Sequence, residues 1–397
     1  MTSRGEILEN HTLVVRDGRI VDLLPSADAA TRYAAAMHVD RPAHLLLPGL
    51  VNAQTGMGVL ARRASSVQVH DAELLRIAEM LRAGTTCFCA TGYFPDESVR
   101  AAVEQGMRAL IGIPIAEGPS AWARTPGEYL TRALRFRDEY RSHPSIATAF
   151  APQTAAAISD ATFARIATLA NELDAAILVS LHESLADIDA SVEQHGLRPI
   201  ERLQVLGLLT PALTAVNMVH IDDADLEMAQ RSDIAITLCP ESNLRLGHGP
   251  PPVARWAGTG LRLGVGSGTE DSGAGLDLWS QLRLLALLSR TPATRSVRLS
   301  AWDAISIATR GGAAALGLEA EIGTLETGKW ADLCCVDVRS PAIVGREIDV
   351  ATQLAFNGGR DLVTDVWVAG RHLLDAGRYT RLDWTDLAAR MTIGELK

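Results

Sequence analysis

Cysteine, basic charge and long apolar runs are all scarce in this chain. Five cysteines are spread over 397 residues, and Cys87, Cys89, Cys239, Cys334 and Cys335 form no even disulfide framework. All five lie in apolar runs that read as strands, which predicts buried thiols in a reduced, cytoplasmic protein. A net charge of −10 without a basic stripe leaves nothing to neutralise phosphates, so nucleic acid is excluded as a non-specific partner. No cleavable leader and no membrane-spanning apolar run is found, so no membrane partner is expected. Internal repeats, low-complexity tracts and long linkers are missing as well.

What is present suits a large globular α/β protein. At 47% hydrophobic and 21% charged, the chain has enough apolar mass for a sizeable core and more than one domain. Short apolar runs at Leu45 to Ala53, Thr85 to Cys89, Ala109 to Ala116 and Ile146 to Gln153 read as strands, as do Ala176 to Glu183, Leu213 to Ile221, Ile234 to Glu241 and Leu261 to Thr269. Helical period and length mark Asp71 to Arg82, Thr125 to Arg141, Asp160 to Leu173 and Leu276 to Ser289. Strands alternating with helices in this way predict a (β/α)₈ barrel. At the ends, hairpins are expected over Leu13 to Val21, turning at Asp17-Gly18, and over Val366 to Leu374, turning at Ala369-Gly370.

Four motifs carry a resemblance to a known family. Pro48-Gly49-Leu50-Val51-Asn52-Ala53-Gln54-Thr55-Gly56 is similar to a metal-binding first strand that reads PG-hydrophobic-hydrophobic-N-x-His-x-His. Leu81-Arg82-Ala83-Gly84-Thr85-Thr86-Cys87 resembles the entry to the second strand, and Cys239-Pro240-Glu241-Ser242-Asn243-Leu244 resembles the seventh. Ile322 to Leu333 matches the I-G-x-L-E-x-G-K-x-A-D-L return from barrel to β-domain. On these motifs the chain resembles the amidohydrolase superfamily, in its cytosine, guanine and S-adenosylhomocysteine deaminase-like and chlorohydrolase-like branch. The resemblance implies a β-sandwich built from both termini, residues 1–47 and 326–397, around a barrel at 48–325. Met1-Thr2-Ser3-Arg4 lacks the family's first strand, so a reduced sandwich is expected. Homodimerisation and a small-molecule substrate are also implied.

The same resemblance places the family's metal ligands on positions that carry other residues here. Gln54 and Gly56 stand at the histidines of strand one, Ser180 at that of strand five, Asn217 at that of strand six and Gly268 at the aspartate of strand eight. Gln153, in Ala151-Pro152-Gln153, replaces a substrate-contacting histidine. Zinc and iron need imidazole, carboxylate or thiolate donors, usually three or more. No metal site, and no cofactor, is therefore expected at these positions. A bound metal lowers the pKa of water from about 15.7 to about 7, which at about 1.36 kcal/mol per unit makes hydroxide roughly 12 kcal/mol more available. Ordinary hydrolytic deamination would lose that contribution.

Glu183 matches the family's strand-five glutamate, which moves protons to and from a ring nitrogen, and remains a candidate general acid or base. Strand alternation puts His182 on the same side as Ser180, facing the former metal position. Those two are the catalytic candidates; Gln54, Gln153, Ser180, Asn217 and Asp271 are the candidate substrate contacts. His220 would point away from the site. Glu270 and Asp271 would place a carboxylate near the lost aspartate, although such residues are more often loop polars capping the next helix; Cys239 reads as a buried strand thiol rather than a nucleophile, and Arg62-Arg63 equally as surface charge or an anion contact. Relatives carry a long insertion after strand one, whereas Thr55 to Gly84 leaves little beyond Met57 to His70 and one helix, so the mouth is expected to be open or closed by a partner chain.

Three functions stay open at this level. One is a metal-independent enzyme in which Glu183, with His182, works on a small nitrogenous substrate held by amide side chains, the two glycines making room where the ion sat. C–N hydrolysis, elimination, cyclisation and isomerisation are all within its reach. The second is a non-catalytic relative that binds a ligand or a catalytic homologue. The third is a metal-dependent C–N hydrolase whose ligands have moved to His182, Glu183, Asp271 or Cys239.

Overall fold

Two hairpin turns sit where dipeptides at the chain ends place them. In the computed structural model, which describes residues 6–56, 66–269, 272–290, 298–341, 343–344 and 349–395, β1 (His11–Arg16) turns into β2 (Arg19–Pro25) through Asp17 and Gly18, at φ 51° and 79°. Two consecutive left-handed residues make the turn whose twist matches that of the strands. The C-terminal hairpin does the same at Ala369 and Gly370, φ 47° and 71°.

The chain then changes sheets at one glycine. A single strand over Leu45 to Ala53 was the expectation; instead β3 (His44–Pro48) joins an antiparallel sheet and β4 (Leu50–Gly56) opens a parallel one. Gly49 lies at the switch because a Cβ there would overlap the Thr86 side chain. Its N–H donates to the Asp332 carbonyl, 3.0 Å away, tying the switch to the family-like return motif.

After β4 come β5 (Thr85–Thr91), β6 (Arg108–Ile115), β7 (Ile146–Pro152), β8 (Ala176–Leu181), β9 (Leu213–Asn217) and β10 (Ala235–Leu238), each parallel to its neighbours. The eighth segment is interrupted rather than continuous over Leu261 to Thr269. Its first half, β11 (Leu263–Val265), pairs with β10, and its second half, β12 (Gly268–Thr269), pairs with β4. Both edges of the sheet therefore belong to one stretch of chain, and the sheet curls back on itself. The break has a steric cause: a Cβ on Gly266 would lie 2.6 Å from the Gln54 carbonyl oxygen and 2.7 Å from its nitrogen. Asn52 spans the gap, accepting from the Ser267 N–H at 3.0 Å and donating to its hydroxyl at 2.9 Å.

Helices cover the outside of the sheet, among them Ser66–Arg82, Pro126–Tyr140, Asp160–Leu173 and Leu278–Leu288. Thr125, Ser159 and Asp277 cap three of them through side-chain oxygens, which satisfies backbone donors that would otherwise have no partner. Inward-facing Val51, Ala53, Cys87, Cys89, Leu110, Ala149, Leu178, Val216 and Cys239 fill the interior of the curled sheet. All five cysteines are buried and unpaired. Among the described residues no helix is long and apolar enough to cross a membrane.

The antiparallel sheet runs β16 (Arg378–Tyr379), β15 (Arg371–Asp375), β14 (Val363–Val368), β13 (Leu333–Asp337) and β3, so strands from both ends of the chain share it. Arg108 of β6 locks it to the parallel sheet by a buried pair with Asp332, at 2.7 and 3.2 Å. Asp332 also accepts the Ala369 N–H at 2.7 Å. Breaking a buried pair on one side leaves a bare charge, at a cost of about 3–5 kcal/mol. Arg108→Ala and Asp332→Ala should each lose that much in urea unfolding, and the double variant should lose less than the sum of the two.

Candidate functional site

A cavity of about 350 Å³ opens at the C-terminal ends of β4 to β9. Gln54, Thr91, Tyr93, Gln153, Thr154, Ser180 and Thr269 supply its polar lining, and Pro114, Leu178, Val179 and Val216 its apolar wall. Strand ends that converge on one opening are where parallel barrels carry their chemistry. Three of the predicted substrate contacts, Gln54, Gln153 and Ser180, are thus brought together.

Gln54 is held by its amide nitrogen, which donates to the Thr91 hydroxyl at 3.1 Å. Its Oε1 is buried and has no partner. An unserved buried acceptor costs about 1–3 kcal/mol, so a ligand N–H or O–H arriving there would recover it. Gln153 bonds to the Tyr93 hydroxyl through its own amide nitrogen. Ser180 is bridged to Thr154, and its carbonyl accepts the Ala155 N–H at 3.3 Å.

Glu183 and Asn217 form a separate polar pair just past the end of β8 and at the end of β9, outside the residues that line the cavity. β9 ends at Asn217 because Asn217 and Met218 both take left-handed backbone, φ 77° and 45°, and the Asn217 side chain bonds to the Glu183 carboxyl. Burial pushes the Glu183 carboxyl up to about 7, the Asp187 charge adds to the rise, and the Asn217 bond opposes it. A carboxyl poised near neutrality can both give and take a proton at physiological pH. His248 Nδ1 lies 3.3 Å from Glu183 Oε1.

His182 does not face this opening. β8 stops at Leu181, and His182 has φ 51°, so the alternation that would have aligned it with Ser180 ends one residue too soon. Its ring is 1% exposed. Nδ1 donates to the His220 carbonyl at 3.0 Å, and Nε2 accepts the Ile200 N–H at 3.1 Å. Burial lowers its pKa, while Asp225 acts the other way. The imidazole pins the chain after β8 to the chain after β9.

The space beside the two glycines is taken by neighbours. A Cβ on Gly56 would sit 2.8 Å from the Thr91 hydroxyl, and one on Gly268, at φ 81°, would overlap Ser242. Cys239 is fully buried, and burial raises its thiol pKa, with Glu183 adding to the rise. Glu270, Asp271 and Arg62-Arg63 lie outside the described residues. Among the described residues, one group of three His, Cys, Asp or Glu donors comes within 4.8 Å, Asp365 with His372 and Asp375. It belongs to the antiparallel sheet, where Arg41 already bridges both carboxylates at 2.7 Å.

The sequence reading missed Tyr93, Thr91 and His248. Tyr93 follows the end of β5 by two residues, a position the strand-end rule reaches. His248 had a weaker signal: it stands between Gly247 and Gly249, both left-handed at φ 76° and 99°, just past the Cys239 to Leu244 motif.

A carboxyl whose folded-state pKa exceeds its unfolded value stays neutral longer on folding. The Glu183 contribution to stability is then fully present below about pH 4.5 and is lost as pH rises through about 7, about 3 kcal/mol in all. Denaturant unfolding across this window should show that loss in the native chain and its absence in Glu183→Gln.

Comparison with known proteins places the chain. The sequence profile of the Amidohydrolase family matches residues 45–373. A 5-methylthioadenosine/S-adenosylhomocysteine deaminase of Teredinibacter turnerae is 33% identical over 407 residues, covering 96% of this chain and 92% of that protein. The same-named protein of Saccharophagus degradans is 32% identical, covering 99% and 93%. The crystal structure of a Xanthomonas campestris adenosine deaminase with bound zinc superposes at TM-score 0.94, with 35% identity over 98% of this chain and 93% of that one. An Arthrobacter aurescens atrazine chlorohydrolase complexed with zinc shares the fold at TM-score 0.87 and 21% identity, covering 97% and 95%. With the curled parallel sheet, the strand-end cavity and these likenesses together, the chain belongs to the amidohydrolase family.

Proposed function

We propose that this amidohydrolase is a metal-independent enzyme that uses Glu183 for acid/base chemistry on a small nitrogen heterocycle. The reading rests on one arrangement: Glu183, just past the end of β8, bonded to the Asn217 amide and 3.3 Å from His248 Nδ1, with burial pushing its carboxyl up. The residues at the family's ligand positions do not fit zinc or iron. Gln54, Ser180 and Asn217 are neutral donors, and Gly56 and Gly268 bring no side chain. Of the described candidates for a relocated set, His182 has both ring nitrogens engaged and burial keeps the Cys239 thiol protonated.

The deaminase names of the relatives favour a nitrogen heterocycle as the substrate class. Amide side chains suit such a ring because each offers both a donor and an acceptor. Gln54 presents its unserved Oε1, Ser180 its hydroxyl and Gln153 the remainder of its amide, while Glu183 exchanges a proton with a ring nitrogen. Without a metal-bound hydroxide the reaction lacks roughly 12 kcal/mol of nucleophile activation. The fitting reactions are those that start from an activated C–N bond or that need only proton transfer, namely elimination, cyclisation or isomerisation. A cavity left open, rather than filled by side chains, favours catalysis over a purely scaffolding role. A cytoplasmic homodimer is the assembly that accompanies this reading.

Screening purine, pyrimidine and triazine derivatives with excess chelator present tests it. Turnover should be indifferent to the chelator and should fall by about 100-fold or more in Glu183→Gln. Loss of turnover on chelation, or full turnover by Glu183→Gln, contradicts the proposal. Gln54→Leu should raise KM by about 10-fold or more with a smaller effect on kcat, as expected for a lost ground-state contact.

A further inference from the structure

The relation between His248 and Glu183 is not explained by packing. His248 sits in the loop after the short helix Pro240–Arg245, its backbone N–H donating to the Asn243 carbonyl at 2.9 Å. The ring is 23% exposed, yet its Nδ1 is buried from solvent and makes no hydrogen bond. That atom lies 3.3 Å from Glu183 Oε1. Buried polar atoms are rarely left unserved, and one within 3.3 Å of a carboxyl just past a strand end calls for a functional account.

We infer that His248 and Glu183 form a proton-sharing dyad at the mouth of the barrel, with His248 positioning the Glu183 carboxyl and holding its proton between transfers. The inference rests on the acid/base reading of Glu183 given above. In one arrangement the Glu183 hydroxyl donates to a neutral Nδ1; in the other the proton resides on Nδ1, and the imidazolium N–H donates to the carboxylate. Either arrangement serves the orphaned nitrogen. When Glu183 protonates a ring nitrogen, its O–H bond breaks, the electron pair stays on the carboxylate, and an N–H bond forms on the substrate. Reloading comes from the substrate: in an elimination or isomerisation the proton lost elsewhere on the substrate moves to the carboxylate, an O–H bond forming as the substrate's own bond to that proton breaks, and Nδ1 then shares it again, with no oxidant or co-reactant needed.

The groups around the dyad permit this exchange. Asp187, on the helix Leu185–His195, adds negative charge that favours a protonated Glu183, and the Asn217 amide at the end of β9 favours the ionised form. Cys239, just past the end of β10, is a buried thiol whose pKa the Glu183 charge adds to raising. No full cation faces the carboxyl among these groups, so the imidazole is the one able to supply positive charge by taking up a proton. Coupled groups of this kind titrate in two steps that belong to the pair.

The test uses the full, unliganded protein, so its outcome is independent of whether a substrate has been found. Glutamate labelled with ¹³C at the carboxyl is incorporated, and the Glu183 signal is assigned by its loss in Glu183→Gln. In the native chain the signal should follow a two-step pH curve. In His248→Asn it should follow one step, with the midpoint moved by about half a unit or more. His248→Gln repeats the measurement on a second side chain, and thermal melts confirm that both variants are folded. Identical Glu183 curves in the native chain and in either folded variant would overturn the dyad. A two-step curve in a protein that turns over no heterocycle would leave the dyad standing and sink the enzymatic reading instead.

Discussion

The rest of the site depends on a close approach of two backbones, where Gly266 and Ser267 pass Gln54 and Asn52. Only a glycine clears the Gln54 carbonyl there, and the two Asn52–Ser267 bonds hold the crossing. That contact joins the first strand of the parallel sheet to the last, so it decides that Gln54, Gly56, Gly268 and Thr269 share one mouth. In a closed parallel sheet the side chains at the strand ends have no other place to go. Function therefore lies in which residues occupy those ends, while the closure itself is indifferent to them.

In the reading proposed here, those ends carry neutral groups, amides, a serine and two glycines, at the positions the resemblance gives to metal ligands; Thr91 and Ser242 stand hard against the glycines. The group to which the proposal gives an acid/base role is Glu183, partly desolvated and bonded to Asn217. Desolvation does to it what a neighbouring charge would do elsewhere: it brings the two protonation states close in free energy near neutral pH. Arg108 and Asp332 supply the complementary rigidity on the opposite face of the sheet, where the parallel and antiparallel layers meet.

Much of this was legible in the residues, for reasons that can be stated. The strand centres are legible because buried parallel strands leave apolar runs bounded by turn residues, but β9 and β10 end three or four residues before the apolar runs do. Both hairpin turns are marked by Gly18 and Gly370, glycines suited to left-handed backbone. The two strand breaks were not legible, since they arise where Gly49 and Gly266 meet chain distant in sequence. His182 was misplaced for a related reason: period two holds only within a strand, and φ turns positive one residue past Leu181. His248 was invisible as a partner of Glu183 because the two are 65 positions apart along the chain and meet only through the fold.

Metal content is the measurement closest to the central claim. Protein purified without chelator should hold far less than one equivalent of zinc, manganese or iron by elemental analysis, and should stay so after incubation with each and removal of the excess. Near-stoichiometric metal retained through that procedure would contradict the account, because it would require a donor set that Gln54, Gly56, Ser180, Asn217 and Gly268 do not provide.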